Sequence, residues 1–256
     1  MTGRNIAALD WCNFRRSFRE LNMDELFQRE LRACGCELFE RFLPRMVVTA
    51  QSEESIAELV KLAARRHLRL CPTGTGSSFP ANYQPPPDTV FLLTTPLDHL
   101  FELRPLDAVV TAGAGMLASD LAARLEETGL ELPASVAQYR GTLGGAVLGP
   151  DSTGLRHTDL RRRLLGLHLV NPLGHLQKFG GPTVKNVAGF DFWTFLVNTH
   201  GRFGVLTRLT LNLEKVPALE PRRLAPPHRH ARTDESALWI YANLEKQLDP
   251  DGIFAR

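Results

Sequence analysis

Three glycine-rich stretches hold the residues best suited to chemistry. They are Pro72-Thr73-Gly74-Thr75-Gly76-Ser77-Ser78, Gly141-Thr142-Leu143-Gly144-Gly145 with the polar run 150–157 behind it, and GGPTVKNVAGFD at 180–191. Glycine lets backbone come against a ligand with no Cβ in between. Three such stretches in one chain suggest a large, charged ligand of dinucleotide size, touched by main chain at several points. The first stretch follows an apolar segment, so its successive N–H groups can form an anion nest, to which the hydroxyls add donors. No lysine follows it, which excludes the phosphate loop of the nucleotide triphosphatases. The same residues also suit an ordinary connecting turn. Lys185 and Asn186 can hold a phosphate or, equally, tie down a neighbouring loop. The run Arg161-Arg162-Arg163 reads first as a solvated face.

A fourth glycine motif competes with these. Gly113-Ala114-Gly115-Met116-Leu117-Ala118 follows an apolar strand and opens a helix, and Glu131 stands near the place of a ribose-binding acid. That is the pattern of a Rossmann dinucleotide fingerprint. Against it, the fingerprint normally follows a domain's first strand, whereas here a complete α/β segment comes first, and the reading leaves loops 72–79 and 141–154 without a role. Other chemistries find little support. Cys34-Gly35-Cys36 is too tight for a zinc knuckle and has no second pair. His228 and His230 fall in a proline-rich run, and the sequence has neither a Gly-x-Ser-x-Gly elbow nor a His-Glu-x-x-His pair.

The elements that must position the loops follow from periodicity. Residues 10–43 read as helical, with an apolar stripe of Leu21, Leu26, Leu31, Leu38 and Phe42. Short apolar runs at 46–50, 68–72, 89–95, 108–115, 164–170 and 205–213 read as strands. The segment 52–67 reads as a helix capped by Ser52, with Ile56, Leu59, Val60 and Ala63 facing inward. A second helix is expected over 118–130, with Gly129 as its stop. Residues 217–233 carry four prolines and read as an exposed basic linker, and 236–249 as a final helix. The chain has 256 residues, 43% of them hydrophobic, and a net charge of +2, so nothing global points to nucleic acid. Four cysteines and the lack of a leader-like or membrane-length apolar run favour a cytoplasmic location.

In order along the chain, VVTAQSEESIAELVKLAARRHLRLCPTGTGSS, VVTAGAGMLASDLAARLEETGLELPAS, GTLGGAVLGPDSTGLRHTDLRRRLLGLHLV and GRFGVLTRLTLNL resemble the FAD-binding domain of the vanillyl-alcohol oxidase / p-cresol methylhydroxylase flavoproteins. Within that family, GGPTVKNVAGFDF and the terminal LDPDGIF are most similar to the E subunit of glycolate oxidase. The resemblance implies an α+β fold of two α/β subdomains clamping an extended FAD. It implies that Pro72, Thr73, Gly74, Thr75, Gly76, Ser77 and Ser78 cradle the diphosphate, and that Thr142, Gly144 and Gly145 approach the flavin side and its ribityl chain. Gly154 and Arg156 would lie near the ligand in the polar loop, with Gly204 and Val205 at the adenine end. The family's covalent members have a histidine in or beside the first loop. Ser77-Ser78-Phe79 stands there in this chain, which implies non-covalent binding.

The resemblance further implies an N-terminal helical extension (1–43), an FAD-binding domain (44–216), a linker (217–235) where relatives place a substrate cap domain, and a C-terminal helix and tail (236–256). Without a cap, no general base can be named. The expected role is an FAD-binding subunit of a glycolate- or lactate-type 2-hydroxyacid oxidoreductase. Its expected partners are a second flavin subunit and an iron–sulfur subunit, through which it could meet a membrane. A structural subunit that has lost FAD is the alternative, because Thr75, His200 and Arg202 stand where relatives carry smaller residues. On this reading the motif at 113–118 is an ordinary strand-to-helix turn, and Gly113→Ala is expected to be mild.

Overall fold

The computed structural model describes residues 25–38, 46–79, 83–86, 88–151, 153–181, 192–216 and 253–254. The loop at 182–191, the linker 217–235 and the expected helix at 236–249 lie outside the described residues. The strands are β1 (Cys36–Leu38), β2 (Met46–Ala50), β3 (Arg69–Thr73), β4 (Thr89–Leu93), β5 (Leu100–Arg104), β6 (Val109–Gly113), β7 (Leu130–Glu131), β8 (Leu164–Val170), β9 (Leu176–Gly180), β10 (Val205–Asn212) and β11 (Glu214–Lys215). The helices are α1 (Glu25–Ala33), α2 (Glu53–Arg65), α3 (Ala118–Leu125), α4 (Ala134–Ala137), α5 (Leu143–Leu148) and α6 (Leu155–Arg163).

One sheet has the order β1-β2-β4-β3, with β2, β4 and β3 parallel and β1 antiparallel at the edge. The other is antiparallel throughout, in the order β5-β6-β10-β8-β9. The expected strands are all present. Strands β5 and β9 were not among them, because they are edge strands with largely exposed side chains, and edges need no continuous apolar run. Central β10 is buried along nearly its whole length.

The N-terminal helix expectation is corrected. Helix α1 ends at Ala33, and Gly35 turns the chain at φ +70° into β1, so Leu38 belongs to a strand and not to a helical stripe. Helix α2 follows its sequence closely. The Ser52 hydroxyl accepts from the Ser55 N–H at 3.1 Å, and Ile56, Leu59, Val60, Leu62 and Ala63 are buried. The polar run before Arg161 also becomes a helix, α6, whose Arg163 pairs with Glu214 while Arg161 and Arg162 stay exposed.

Two contacts fix how the halves meet. The Glu53 carboxylate, on the first turn of α2, accepts from His168 Nδ1 on β8 at 2.8 Å and from Thr207 Oγ1 on β10 at 2.9 Å. Arg208 adds its charge at 3.5 Å and lies 3.5 Å over the Phe101 ring. A helix of the first sheet is thereby tied to the central strands of the second. On the other side, Leu70 N–H of β3 donates to the Ile253 carbonyl at 2.5 Å, and Ile253 and Phe254 are buried. Ile253 and Phe254 so cover an edge strand that would otherwise present free hydrogen-bonding groups.

Candidate functional site

The first glycine loop leaves β3 at the junction of the two sheets. Its base is held at both ends: Thr94 N–H donates to the Thr73 carbonyl at 2.9 Å, and Phe79 N–H closes a turn onto the Gly76 carbonyl at 3.2 Å. Phe79 stacks on Tyr83 with ring centroids 4.8 Å apart and meets Phe91 edge-on, which pins the loop's far end to the sheet. Among the described residues, the N–H groups of Thr75, Gly76, Ser77 and Ser78 have no partner within the fold. Gly76 has φ +74°, the left-handed conformation in which successive N–H groups converge on one side.

The second glycine stretch packs directly against the first. Thr142 caps α5, its hydroxyl accepting from Gly145 N–H at 3.1 Å. A Cβ on Gly74 would lie 2.4 Å from that same hydroxyl, so Gly74 is glycine because the loops touch each other there. Gly76 differs: a Cβ there would meet nothing nearer than 3.9 Å, and its constraint is the backbone angle alone. Leu143 and Gly144 donate their N–H groups to the Met116 and Ala114 carbonyls, and Gly145 donates to Thr142, so these three residues offer a ligand close approach and no free amide.

Tyr139, which sequence reasoning passed over, organises the second stretch. Its hydroxyl lies 3.1 Å from Ser78 Oγ on the first loop. Cβ atoms on Gly141 and Gly145 would come within 2.7 and 3.0 Å of the tyrosine. Gly145, expected as a ligand contact, and its neighbour Gly141 therefore also make room for an aromatic side chain. Only their neighbourhood in space reveals this. The Arg156 guanidinium lies 4.4 Å over the same ring.

A cavity of about 470 Å³ opens beside these loops, well within the size of ordinary ligand sites. It brings together Pro72, Thr73, Gly74, Thr75, Gly76, Ser77, Ser78, Thr142, Gly144 and Gly145. Phe79, Tyr83, Tyr139, Leu148, Gly149, Pro150, His200, Gly201, Arg202 and Leu206 also line it. Gly154, Arg156, Gly204 and Val205 do not. Arg156 is buried and spends its donors on the Ala146 and Pro150 carbonyls at 2.9 and 2.5 Å, holding the turn at 149–150 in place. Gly154 is the left-handed residue before α6. Gly204 lies against β8, where a Cβ would be 2.3 Å from the Val170 carbonyl, and Val205 is fully buried in the core.

The competing fingerprint at 113–118 is occupied by the fold itself. Gly113, Ala114 and Gly115 donate their N–H groups to the carbonyls of His99, Thr207 and Leu97 at 2.8–2.9 Å. None of them lines the cavity. This also corrects the expectation that Gly113→Ala is mild, because the new Cβ would sit 2.0 Å from the Leu97 carbonyl oxygen.

Compared with known proteins, residues 44–180 match the FAD binding domain family, more than half of the chain. The chain belongs to that family. The solved structure of an alkyldihydroxyacetonephosphate synthase shares the fold, with a TM-score of 0.55 at 21% identity over 68% of this chain and 32% of that one. The mitochondrial D-lactate dehydrogenase [cytochrome] of Arabidopsis thaliana is 27% identical over 68% of this chain and 31% of its own length. The glycolate oxidase subunit GlcD of Bacillus subtilis is 23% identical over 72% of this chain and 40% of its own. The D-lactate dehydrogenase of Anaerostipes hadrus is 25% identical over 70% and 38%. This FAD binding domain thus spans about a third to two fifths of the relatives it matches.

FAD is the family's cofactor, and the site suits it on three counts: unpaired loop amides for a diphosphate, glycine-lined walls for close approach, and aromatic and leucine side chains for rings. Among the described residues there is no cluster of three or more metal-ligating side chains. Cys71, on the cavity wall, is held as a neutral thiol, its pKa pushed up to about 11 by burial. Among the described residues, no helix is long and apolar enough to cross a membrane.

Two histidines near the cavity make the fold sensitive to acid. Burial pushes the pKa of His157 below the ordinary 6.5, and its Nε2–H donates to the Gly149 carbonyl at 2.9 Å. His200 reaches solvent at the rim, yet desolvation by its surroundings, helped by the charge of Arg202, lowers its pKa too. Groups with depressed pKa bind fewer protons folded than unfolded, so the folded state loses stability as pH falls below about 6.5. Asp151 acts in the same direction at lower pH. Burial alone would raise its pKa, but bonds from the Thr153 hydroxyl and the His157 and Thr153 N–H groups, with Arg156 nearby, hold it below 3.8. The expected result is a melting temperature that drops between pH 7.5 and 5.5 and drops again below pH 4. His157→Gln, which keeps a donor for Gly149, should flatten the upper step; an unchanged step would remove His157 from the account.

Proposed function

We propose that this chain is the FAD-holding part of an oxidoreductase that acts on a small 2-hydroxyacid of the glycolate or lactate type. The observation that carries the reading is the loop Thr75–Ser78, whose amides are unpaired among the described residues and open into a cavity walled by the second glycine stretch. The hydroxyacid class is supported by the relatives, three of which are named for lactate or glycolate. Bound FAD supplies the electron acceptance, while the protein supplies position and electrostatics.

The loop amides of Thr75, Gly76, Ser77 and Ser78 hold the diphosphate. Thr142, Gly144 and Gly145 give the ribityl and flavin side a wall without protruding Cβ atoms. Tyr139 and Arg156 keep that wall rigid from behind. Binding is non-covalent: the first loop carries serines and Phe79 where a tethering histidine would stand. Neither Tyr139 nor His200 is placed by any contact as a base for the hydroxyacid. The substrate wall therefore comes from elsewhere, either from another chain or from residues outside those described. We further propose that the chain works in a complex with a second flavin-binding subunit and an iron–sulfur subunit that carries electrons onward.

Purified protein tests this directly. It is expected to be yellow, with flavin absorbance near one equivalent, and acid precipitation should leave all of that flavin in the supernatant. Colourless protein that takes up no added FAD would favour the alternative of a structural subunit. Flavin remaining in the pellet would overturn the non-covalent assignment.

A further inference from the structure

The cavity's charge is one-sided. Among its lining residues no aspartate or glutamate is present, and the ionisable nitrogen groups are those of Arg202 and His200. Both sit on the turn leading into β10, which is built with unusual backbone: Asn198 has φ +72°, His200 +58° and Gly201 +77°. Non-glycine residues in this region are strained and persist only where the surroundings hold them. Here the holding contacts are His200 N–H to the Leu148 carbonyl at 2.9 Å, Asn198 N–H to the Val147 carbonyl at 2.9 Å and Arg202 N–H to the Thr199 carbonyl at 3.2 Å. The turn is thereby clamped to α5, the helix whose cap packs on Gly74. It also lies beside the first loop, since a Cβ on Gly201 would be 4.0 Å from Pro72. Among the described residues, the Arg202 guanidinium has no carboxylate or carbonyl partner, unlike Arg66, Arg156 and Arg163, each of which is paired.

We propose that Arg202 is the side-chain cation that neutralises the ligand's diphosphate, completing on one wall the anion site that the loop amides form on the other. The inference deepens the proposed FAD reading and rests on it for the identity of the ligand. Backbone amides alone carry only partial charges, whereas a dianionic diphosphate leaving water calls for a full positive charge, and guanidinium is weakly hydrated and shaped to bridge two phosphate oxygens. His200, whose pKa desolvation and the charge of Arg202 hold below the ordinary 6.5, leaves the arginine as the cavity's permanent charge.

Titrations of flavin-stripped protein with FAD, ADP and adenosine, at several salt concentrations, test this. Arg202→Ala should weaken FAD about 10- to 100-fold, the range expected for losing one charge-assisted contact. It should weaken ADP by a similar factor and leave adenosine unchanged, and the salt dependence of FAD binding should become shallower. Arg202→Lys should recover part of the loss, and both variants should melt as the wild type does without ligand. Equal binding of FAD by wild type and Arg202→Ala would overturn the inference while leaving the flavin reading intact. A matching loss for adenosine would also overturn it, because the arginine would then serve the fold. Wild type that binds ADP through Arg202 but not FAD would support the anion site and refute the flavin reading; binding of neither would refute both.

Discussion

Gly76→Val is expected to give a folded protein that purifies without FAD. Position 76 has φ +74° and an exposed surrounding loop, and a side chain there would strike nothing closer than 3.9 Å. The core is therefore spared. The penalty falls on the backbone, where a residue with a Cβ costs about 1–2 kcal/mol in the left-handed region and a β-branched one more. The loop relieves that strain by rotating its peptides, which turns the amides of Gly76 and Ser77 away from the cavity. Each charge-assisted bond to the diphosphate is worth roughly 1.5–3 kcal/mol, so losing two cuts affinity by orders of magnitude. Flavin absorbance per protein should fall to baseline. The ligand-free melting temperature should stay near that of wild-type apoprotein, while the extra stabilisation that added FAD gives the wild type should vanish. A variant that keeps its full flavin would show that this loop is not where the diphosphate sits.

Gly115→Ala is expected to be the more damaging change to the molecule itself, although it adds a single methyl group at a residue that does not line the cavity. The new Cβ would stand 1.8 Å from the Thr94 carbonyl oxygen and 2.7 Å from its carbon. Those are backbone atoms of the segment joining β4 to β5, so no side-chain rotation relieves the clash. The segment cannot retreat either, because Gly115 N–H is bonded to the Leu97 carbonyl at 2.9 Å and Leu97 is buried in the core beneath the β1-β2-β4-β3 sheet. Separating the strands costs roughly 3–5 kcal/mol, the scale of severe overpacking, against a total stability on the order of 5–15 kcal/mol for a domain. Low soluble yield and a melting temperature many degrees below wild type are the expected readouts. A variant that melts within a degree or two of wild type would mean that β6 and the 94–97 segment are not tightly joined.

These two glycines show where sequence ends and structure begins. Both sit in glycine-rich runs after an apolar strand, and both runs could pass for nucleotide-binding turns. The amides decide between them: those after Gly74 are unpaired among the described residues, whereas those of Gly113 and Gly115 are consumed by His99 and Leu97. Hydrogen bonds between residues 14 or 18 positions apart leave no local pattern, so no reading of the motif alone could have told the two apart.

Elements whose cause is local were legible from the residues themselves. The capped helix α2, its buried face, the central strands and the Gly129 stop follow from periodicity, a hydroxyl cap and a left-handed glycine, all written within a few residues. The ordered set of loops was distinctive enough to place the chain among FAD-binding domains. The tertiary structure alone decided which residues meet. It set Tyr139 among the glycines of the second stretch, withdrew Arg156, Gly204 and Val205 from the cavity wall, and brought His200 and Arg202 onto it. It also joined Glu53 to His168 and Thr207, more than a hundred residues away. Such contacts are set by how two sheets close on each other, a geometry that depends on every packed side chain between them and is carried by no single segment.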